Sequence, residues 1–466
     1  MGARPKRTRA AGTARRAALT AGLAAAAILP AMLPAAGQER GGPLLTFGID
    51  TSLRADDNID LVANPDGGDI RSETRLSFGL SSATRLQRLA LTADTGLRFS
   101  TAAGDESGFE RPTLSLDYLR QTRSARLAAD LSYRTTDLGF FDPATLDEEL
   151  RPEDLVAGTG QVTRYSAALA LETGLQAPVG LELSLATQGR SYSGTTSPNL
   201  TDSRTDSAGA AVVLRPDRAT EGRIGLSVSE YSSDGTGITD RSTRSLDLGA
   251  SRRLSEAVEV SAALSLVEIE ETSASGATAS DRGLSARLEM RRALPAGSLG
   301  AAVESDLTNT GRRTTVEIDR NFRLPRGALS FSLGASAFED GDPEIVGSLG
   351  YSRDLPTGTI GAQLERRLDS TSDDLRQTTT RASLDYSYQI NDLSSLSLDM
   401  NFVALDVASG ASSARASLTT TYTRSLTRDW DLALGYEHRY VDPSSGSQAR
   451  SNAVFLSIGR DFQIRP

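Results

Sequence analysis

The feature that most constrains this chain is a period-two alternation of apolar and polar residues, which recurs from Leu44 to the C-terminus. Val258 and Val260, for example, alternate with Glu259 and Ser261. Successive side chains of a β-strand point to opposite faces, so this spacing predicts strands with one apolar and one polar face. Helical periodicity is nearly absent, and no shift in composition marks a domain boundary. We therefore predict an all-β chain with a single architecture.

Short and long connections alternate between the predicted strands. Short links of the form Leu-Pro-x-Gly occur at 294–297, 324–327 and 355–358. Long polar links occur at 55–71, 136–160 and 193–203. Tight turns at one end and long loops at the other are typical of outer-membrane barrels, and a β-protein can span a bilayer only as a closed barrel. We predict an antiparallel up-and-down transmembrane β-barrel of about 22 strands, with a range of 18–22 because the links at 309–312 and 338–343 are short.

No plug domain is predicted inside the barrel. Strand alternation begins at Leu44, which leaves no room for such a domain and disfavours a TonB-type receptor. The same limit disfavours an autotransporter, which would need a passenger segment before the barrel.

Residues 1–37 are predicted to be a cleaved signal peptide, and residues 38–466 the barrel. A basic run containing Lys6, the only lysine, precedes the apolar stretch 17–33 and a small-residue segment that ends near Gly37. These are the three regions of a secretory signal. A retained anchor helix is the alternative, which Pro30 and Pro34 disfavour. An even strand number, together with short periplasmic turns, predicts a barrel in the outer membrane of a Gram-negative bacterium with both termini periplasmic.

Composition excludes several function classes. The chain has no Cys and one His, so disulfides, thiolate metal sites and Cys nucleophiles are absent. His438 shares the apolar parity of Tyr436 and Tyr440, which predicts an interface residue rather than a catalytic one. A net charge of -10 argues against a nucleic-acid partner. No phosphate-binding loop, nucleophile elbow or metal-ligand cluster occurs, so we predict a non-enzyme without a cofactor.

Both ends of the predicted barrel carry recognisable strands. The final strand, 452–464, is apolar on one face and contains Phe462, and we expect the barrel-assembly machinery to bind it. The first strand holds Phe47–Ile49 and runs into the polar stretch Arg54–Ile59. These residues resemble the first strand and loop of the outer-membrane β-barrel porin family. The resemblance implies an outer-membrane barrel, sometimes linked to exopolysaccharide systems, and it transfers no catalytic residue.

Placing each apolar face toward lipid leaves a polar face that we predict lines the lumen. Its acidic members are Asp50, Asp94, Asp117, Asp130, Glu182, Asp247, Glu259, Glu289, Glu304, Glu317, Glu365, Asp385, Asp399 and Glu437. Its basic members are Arg98, Arg134, Arg287, Arg291, Arg367 and Arg439. Because carboxylate rings favour cations, we predict a cation-preferring pore for diffusion or export of ions, small solutes or surface polysaccharide.

Three alternatives to this pore stay open. The inner acids and arginines could neutralise one another as a structural lattice. The barrel could be a structural or adhesive surface protein that acts through its loops. A secreted soluble β-repeat protein is the third, and it would partition into buffer without detergent.

Two kinds of loop invite further hypotheses. The longest connection, 137–159, is strongly acidic; it either caps the barrel outside or folds into the lumen, and we favour the cap because charge runs are usually solvated. The stretches Asp56–Asn58 and Glu339–Glu344 offer oxygen ligands for Ca²⁺, although neither matches the spacing of an EF-hand loop.

Overall fold

The computed structural model describes residues 42–465 apart from 66, 101–107, 141–154, 156–159, 196–199, 236, 372–373, 409, 411 and 445. The predicted signal peptide, 1–37, lies outside the described residues. The strands are β1 (Leu44–Asp56), β2 (Asp69–Ala83), β3 (Gln87–Ser100), β4 (Gly108–Gln121), β5 (Ala125–Asp137), β6 (Gln161–Thr173), β7 (Val179–Ser193), β8 (Ser203–Leu214), β9 (Thr220–Ser233), β10 (Ile238–Arg253), β11 (Val258–Ser273), β12 (Thr278–Leu294), β13 (Gly297–Thr308), β14 (Gly311–Leu324), β15 (Gly327–Phe338), β16 (Glu344–Leu355), β17 (Gly358–Ser370), β18 (Arg376–Asn391), β19 (Ser394–Val407), β20 (Ser412–Ser425), β21 (Trp430–Asp442) and β22 (Ala449–Ile464). Among the described residues, no helix is long and apolar enough to cross a membrane.

The 22 strands form one closed antiparallel sheet. Each strand pairs with its sequence neighbours, and β1 also pairs with β22, where Leu45 stands opposite Ile464. Closure leaves no unpaired sheet edge. The predicted all-β antiparallel barrel is confirmed, with a strand number at the top of the predicted range.

The two ends of the barrel differ in their connections. At one end, which we call the short-turn end, β12 and β13 are joined by residues 295–296 alone. Gly297 closes this turn with φ 138, a conformation that favours glycine. At the other end, the long-loop end, the chain leaves β5 at Asp137 and enters β6 only at Gln161. The Leu-Pro-x-Gly links therefore lie at the short-turn end and the predicted long links at the other.

Contacts that skip strands identify the inner face of the barrel. Arg439 of β21 donates to the carbonyl of Gly139, which follows β5, and Arg313 of β14 lies 3.5 Å from Asp369 of β17. Such contacts can form only through the lumen. The opposite face carries large exposed apolar side chains, such as Leu226 (64% exposed) and Leu333 (63%). The barrel is thus apolar outside and polar inside, the reverse of a soluble barrel.

Candidate functional site

Many predicted lumen residues form ion pairs with neighbours on the inner face. Arg287 lies 3.3 Å from Glu289 and 2.5 Å from Glu304, while Glu182 lies 2.9 Å from Arg223. Arg291 also pairs with Glu289, at 3.1 Å. These pairs form a local lattice of alternating charges on the inner wall, of the kind that the first alternative to the pore described.

The remaining predicted lumen residues fall into three groups. Two pairs of acids stand directly opposite each other, namely Asp117 with Asp130 and Asp385 with Asp399. Three other acids accept hydrogen bonds from hydroxyl groups. Asp50 accepts from Ser457, Asp94 accepts from Thr113, and Asp247 accepts from both Ser245 and Ser265. In the third group, Glu259 stands opposite Arg253 and Arg291, and Glu317 stands opposite Ala302 and Gly334. The same group contains two ion pairs, Glu365 with Arg367 at 3.7 Å and Arg98 with Asp137 at 2.9 Å. The last three, Arg134, Glu437 and Arg439, lie at the long-loop end, whose opening we call the mouth.

At the long-loop end, a 3₁₀ turn at Leu138–Phe140 enters the lumen. Arg415 donates to the carbonyls of Leu138 (3.0 Å) and Gly139 (2.7 Å), and Arg439 donates to Gly139 at 2.6 Å. We call this turn, with Arg415 and Arg439, the mouth latch. It joins the start of the loop after β5 to the opposite wall, formed by β20 and β21.

The ring of Phe140 lies among three guanidinium groups. Those of Arg54 and Arg111 lie 5.1 Å from its centroid, and that of Arg439 lies 4.3 Å away. The quadrupole of an aromatic ring attracts a cation that lies over its face, and the attraction is stronger when the cation is shielded from water. The latch is therefore held both by hydrogen bonds to its backbone and by cations around its side chain.

Apolar packing seals the wall beside the latch. Leu155, in the same loop, is fully buried against Val403 and Leu405 of β19. Close to the end of β21, Leu61 is fully buried with Val441. The favoured external cap is wrong for the described part of the loop, since residues 138–140 and Leu155 turn inward. The acidic residues at 141–154 lie outside the described residues.

A buried network around Asp56 supports the latch. The carboxylate of Asp56 accepts hydrogen bonds from Arg54 (2.8 Å), Arg439 (2.8 Å), Ser451 (2.6 Å) and the backbone N–H of Asn58 (2.9 Å). Its oxygens are therefore already bound by donors of the protein. In the part of the chain that the structure describes, no three side chains form a metal-ligand cluster.

A second polar cluster lies at the mouth between β10 and β18. Arg241 contacts Glu271 of β11 and Asp374 of the loop after β17, and its guanidinium lies 5.5 Å from the ring of Tyr231. Asn309 donates to Asp374 at 2.7 Å. A cavity of about 450 Å³ opens beside these residues.

Arginines are numerous on the inner face at the mouth, and the sequence prediction missed most of them. Arg134, Arg164 and Arg190 stand directly opposite one another on β5, β6 and β7, and we call them the arginine ladder. Like charges directly opposed in a sheet repel one another, so this arrangement favours anions nearby. The parity of Arg54 relative to Asp50 on β1 is a signal in the sequence that places Arg54 on the inner face. The predicted cation preference did not take these arginines into account.

Comparison with known proteins reveals similarity only in structure. No protein-family model and no curated protein matches the chain. Its structure is similar to that of the ferric-catecholate import receptor Fiu from E. coli K12 (10% identity, TM-score 0.56, covering 89% of this chain and 81% of that one). The barrel has the fold of siderophore receptors. The siderophore receptor PiuA from Acinetobacter baumannii gives 11% identity and a TM-score of 0.56, covering 89% and 82%. The FrpB iron transporter from Neisseria meningitidis gives 10% and 0.55, covering 91% and 82%.

These similarities correct the predicted function. The three similar structures are an import receptor, a siderophore receptor and an iron transporter, whereas we predicted a passive pore for the diffusion or export of ions, small solutes or polysaccharide. That prediction is wrong, and the resemblance to porins holds only at the level of an outer-membrane barrel. Residues 1–41 lie outside the described part of the chain, so the absence of a plug stays a prediction.

Proposed function

We propose that this chain is an outer-membrane import receptor for a small anionic iron chelate of the siderophore class. The observation that carries the proposal is the mouth latch. A passive pore needs a permanently wet constriction, whereas here apolar side chains such as Leu155 and Leu405 are packed without water contact. A loop whose start is held to the lumen wall in this way suits a barrel whose mouth changes shape around a specific ligand.

Membrane insertion follows from the outer face. Its exposed leucines, isoleucines and valines would be costly in water but are stabilised by lipid chains, and in the closed sheet each strand is paired on both sides. In the proposed orientation the short-turn end and both termini are periplasmic, as is usual for outer-membrane barrels. The apolar strand β22 is then the segment that the barrel-assembly machinery would bind.

The arginine ladder supports the chemical class of the ligand. Guanidinium groups bind oxyanions through parallel hydrogen bonds, and ferric catecholates are anionic complexes with many oxygen atoms. Arg134 is exposed and Arg190 half-buried in the lumen. A chelate that enters the mouth would therefore pass three guanidinium groups beside the latch.

The test is calorimetric titration of the refolded barrel with a ferric tris-catecholate. We expect saturable binding, and Arg134→Gln with Arg190→Gln should weaken it by at least tenfold, because hydrogen bonds to charged groups contribute about 1.5–3 kcal/mol each. Arg223→Gln, on the inner face near the short-turn end, is the matched control and should bind like the unaltered chain. Absence of binding, or equal weakening by the control, would contradict the proposal.

A further inference from the structure

The outer face at the short-turn end carries a belt of aromatic residues. Phe47 and Phe78 lie side by side on β1 and β2, with ring centroids 5.2 Å apart. Around the rest of this end, further aromatic residues lie on the same outer face. They are Tyr118, Phe322, Phe331, Tyr351, Tyr388, Tyr422, Trp430 and Phe462. Aromatic belts of this kind lie at the level of lipid headgroups in membrane barrels.

Arginines are interspersed with this belt and face outward at the same level. They are Arg120, Arg252, Arg292, Arg320, Arg353, Arg424 and Arg460, on seven different strands. We call them the arginine collar. Each stands opposite an apolar or aromatic residue of a neighbouring strand; Arg353, for example, is opposite Ile360, and Arg424 is opposite Leu432.

At the short-turn end, positive and negative side chains of the strands lie on opposite faces of the sheet. On the described strands at this level, the carboxylates lie on the inner face, as Asp319 beside Gly300 and Asp461 beside Gly48 illustrate. The outer face at the long-loop end differs, because there Glu268 stands between Arg244 and Arg282. An excess of outward positive charge is thus confined to one end of a chain whose net charge is -10.

Several collar arginines have no carboxylate to neutralise them. Within the described residues, Arg292, Arg353 and Arg424 are exposed and form no ion pair. Two others lie over aromatic rings, Arg320 at 4.2 Å from the centroid of Phe322 and Arg460 at 4.4 Å from that of Phe462. These two also have polar partners in the protein, since Arg320 donates to the carbonyl of Ser298 at 2.9 Å and Arg460 lies 3.3 Å from Asp429, so the exposed Arg292, Arg353 and Arg424 are the members that the proposal uses.

We propose that the arginine collar binds the phosphate groups of anionic phospholipids in the leaflet that surrounds the short-turn end. The inference rests on the proposed membrane location. Long arginine side chains at the edge of an apolar belt extend toward the headgroups, where phosphate oxygens match the guanidinium fork. The collar then fixes the depth of the barrel in the bilayer and gathers anionic lipid around it.

The experiment is native mass spectrometry of the full barrel released from mixed vesicles of phosphatidylglycerol and phosphatidylcholine. An arginine near an anionic surface favours the charged lipid by about fivefold, so the unaltered barrel should retain phosphatidylglycerol preferentially. The triple variant Arg292→Gln, Arg353→Gln, Arg424→Gln should lose most of that preference. The corresponding Lys variant keeps the charges and should retain it in part.

The matched control removes three outward arginines from the long-loop end, through Arg204→Gln, Arg244→Gln and Arg282→Gln. It should retain the lipid preference, and an equal loss in this control would overturn the collar. A collar variant that still prefers phosphatidylglycerol would also overturn it. Failure of the unaltered barrel to insert into neutral vesicles would instead contradict the proposed membrane function, since insertion itself does not need the collar.

Discussion

Arg439 of β21 donates a hydrogen bond of 2.8 Å to Asp56 of β1, and the two side chains are 4% and 0% exposed. This ion pair bridges two strands separated by β22 and lies directly under the latch. A desolvated pair of this kind does not by itself prove stabilisation, but loss of one partner leaves an unpaired charge in the interior. The pair therefore makes the mouth sensitive to single substitutions.

We expect Asp56→Asn to destabilise the barrel by about 3–5 kcal/mol, because Arg439 would keep its charge and lose its closest carboxylate, with Glu437 left at 4.0 Å. Urea unfolding in lipid vesicles, followed by the fluorescence of Trp430, measures this change. Asp206→Asn is the control, since its ion pair with Arg204 is about half exposed and such pairs contribute about 0–1 kcal/mol. A similar loss in both variants would contradict the buried role of Asp56.

Arg415→Ala should loosen the mouth latch, because the carbonyls of Leu138 and Gly139 lose the donors that hold them to β20. In planar bilayers we expect little conductance from the unaltered barrel and a clear increase in the variant. Arg223→Ala, far from the latch, should stay as closed as the unaltered chain. A variant as silent as its parent would show that other contacts close the mouth.

Leu405→Ala should weaken the seal by about 2–5 kcal/mol, since Leu405 is fully buried against Leu155 and truncation leaves a cavity. Met400→Ala on the same strand is the comparison, because Met400 is 42% exposed on the lipid-facing side and lipid chains can fill the space. Thermal unfolding of both variants in the same vesicles measures the difference. Equal losses would mean that Leu405 is not part of a packed seal.

We expect the loop between β15 and β16 to make the stability of the folded barrel depend on pH in acid. A hydrogen bond from Arg376 lowers the pKa of Asp340 from its ordinary value of 3.8. Because the pKa is lower in the folded state, the stabilisation is complete above pH 3.8 and is lost as the pH falls through the lowered pKa. Thermal unfolding from neutral to acidic pH should therefore separate the unaltered chain from Asp340→Asn at neutral pH and bring the two together in acid.

Gly435 provides a test of packing inside the lumen. A Cβ at this position would overlap the ring of Phe455 on the neighbouring strand β22. We expect Gly435→Ala to destabilise the barrel by about 1–3 kcal/mol, because the aromatic ring must leave its place. Gly249→Ala is the matched control, where the nearest atom would lie at 3.6 Å, and equilibrium unfolding compares the two. A tolerated Gly435→Ala would show that the ring of Phe455 is free to move.

Local sequence patterns determined the strands of this protein, their number and the assignment of long and short connections. Alternation such as that of Val258 to Leu266 encodes strand and face together, since a one-residue slip would place every apolar side chain inside. Turn residues such as Gly297 mark where hairpins end. These signals act over a few residues, which is why they can be interpreted without a structure.

The mouth was decided only by tertiary structure. The latch turn and Arg439 are 300 residues apart in the chain, and nothing local to Phe140 or Arg439 indicates that they meet. The closure of β1 on β22 brings Arg439 next to Asp56, and inward folding of the loop after β5 brings Phe140 to both walls. Closing the sheet into a ring turns distant strand ends into neighbours across one lumen, so the site exists only in the folded barrel.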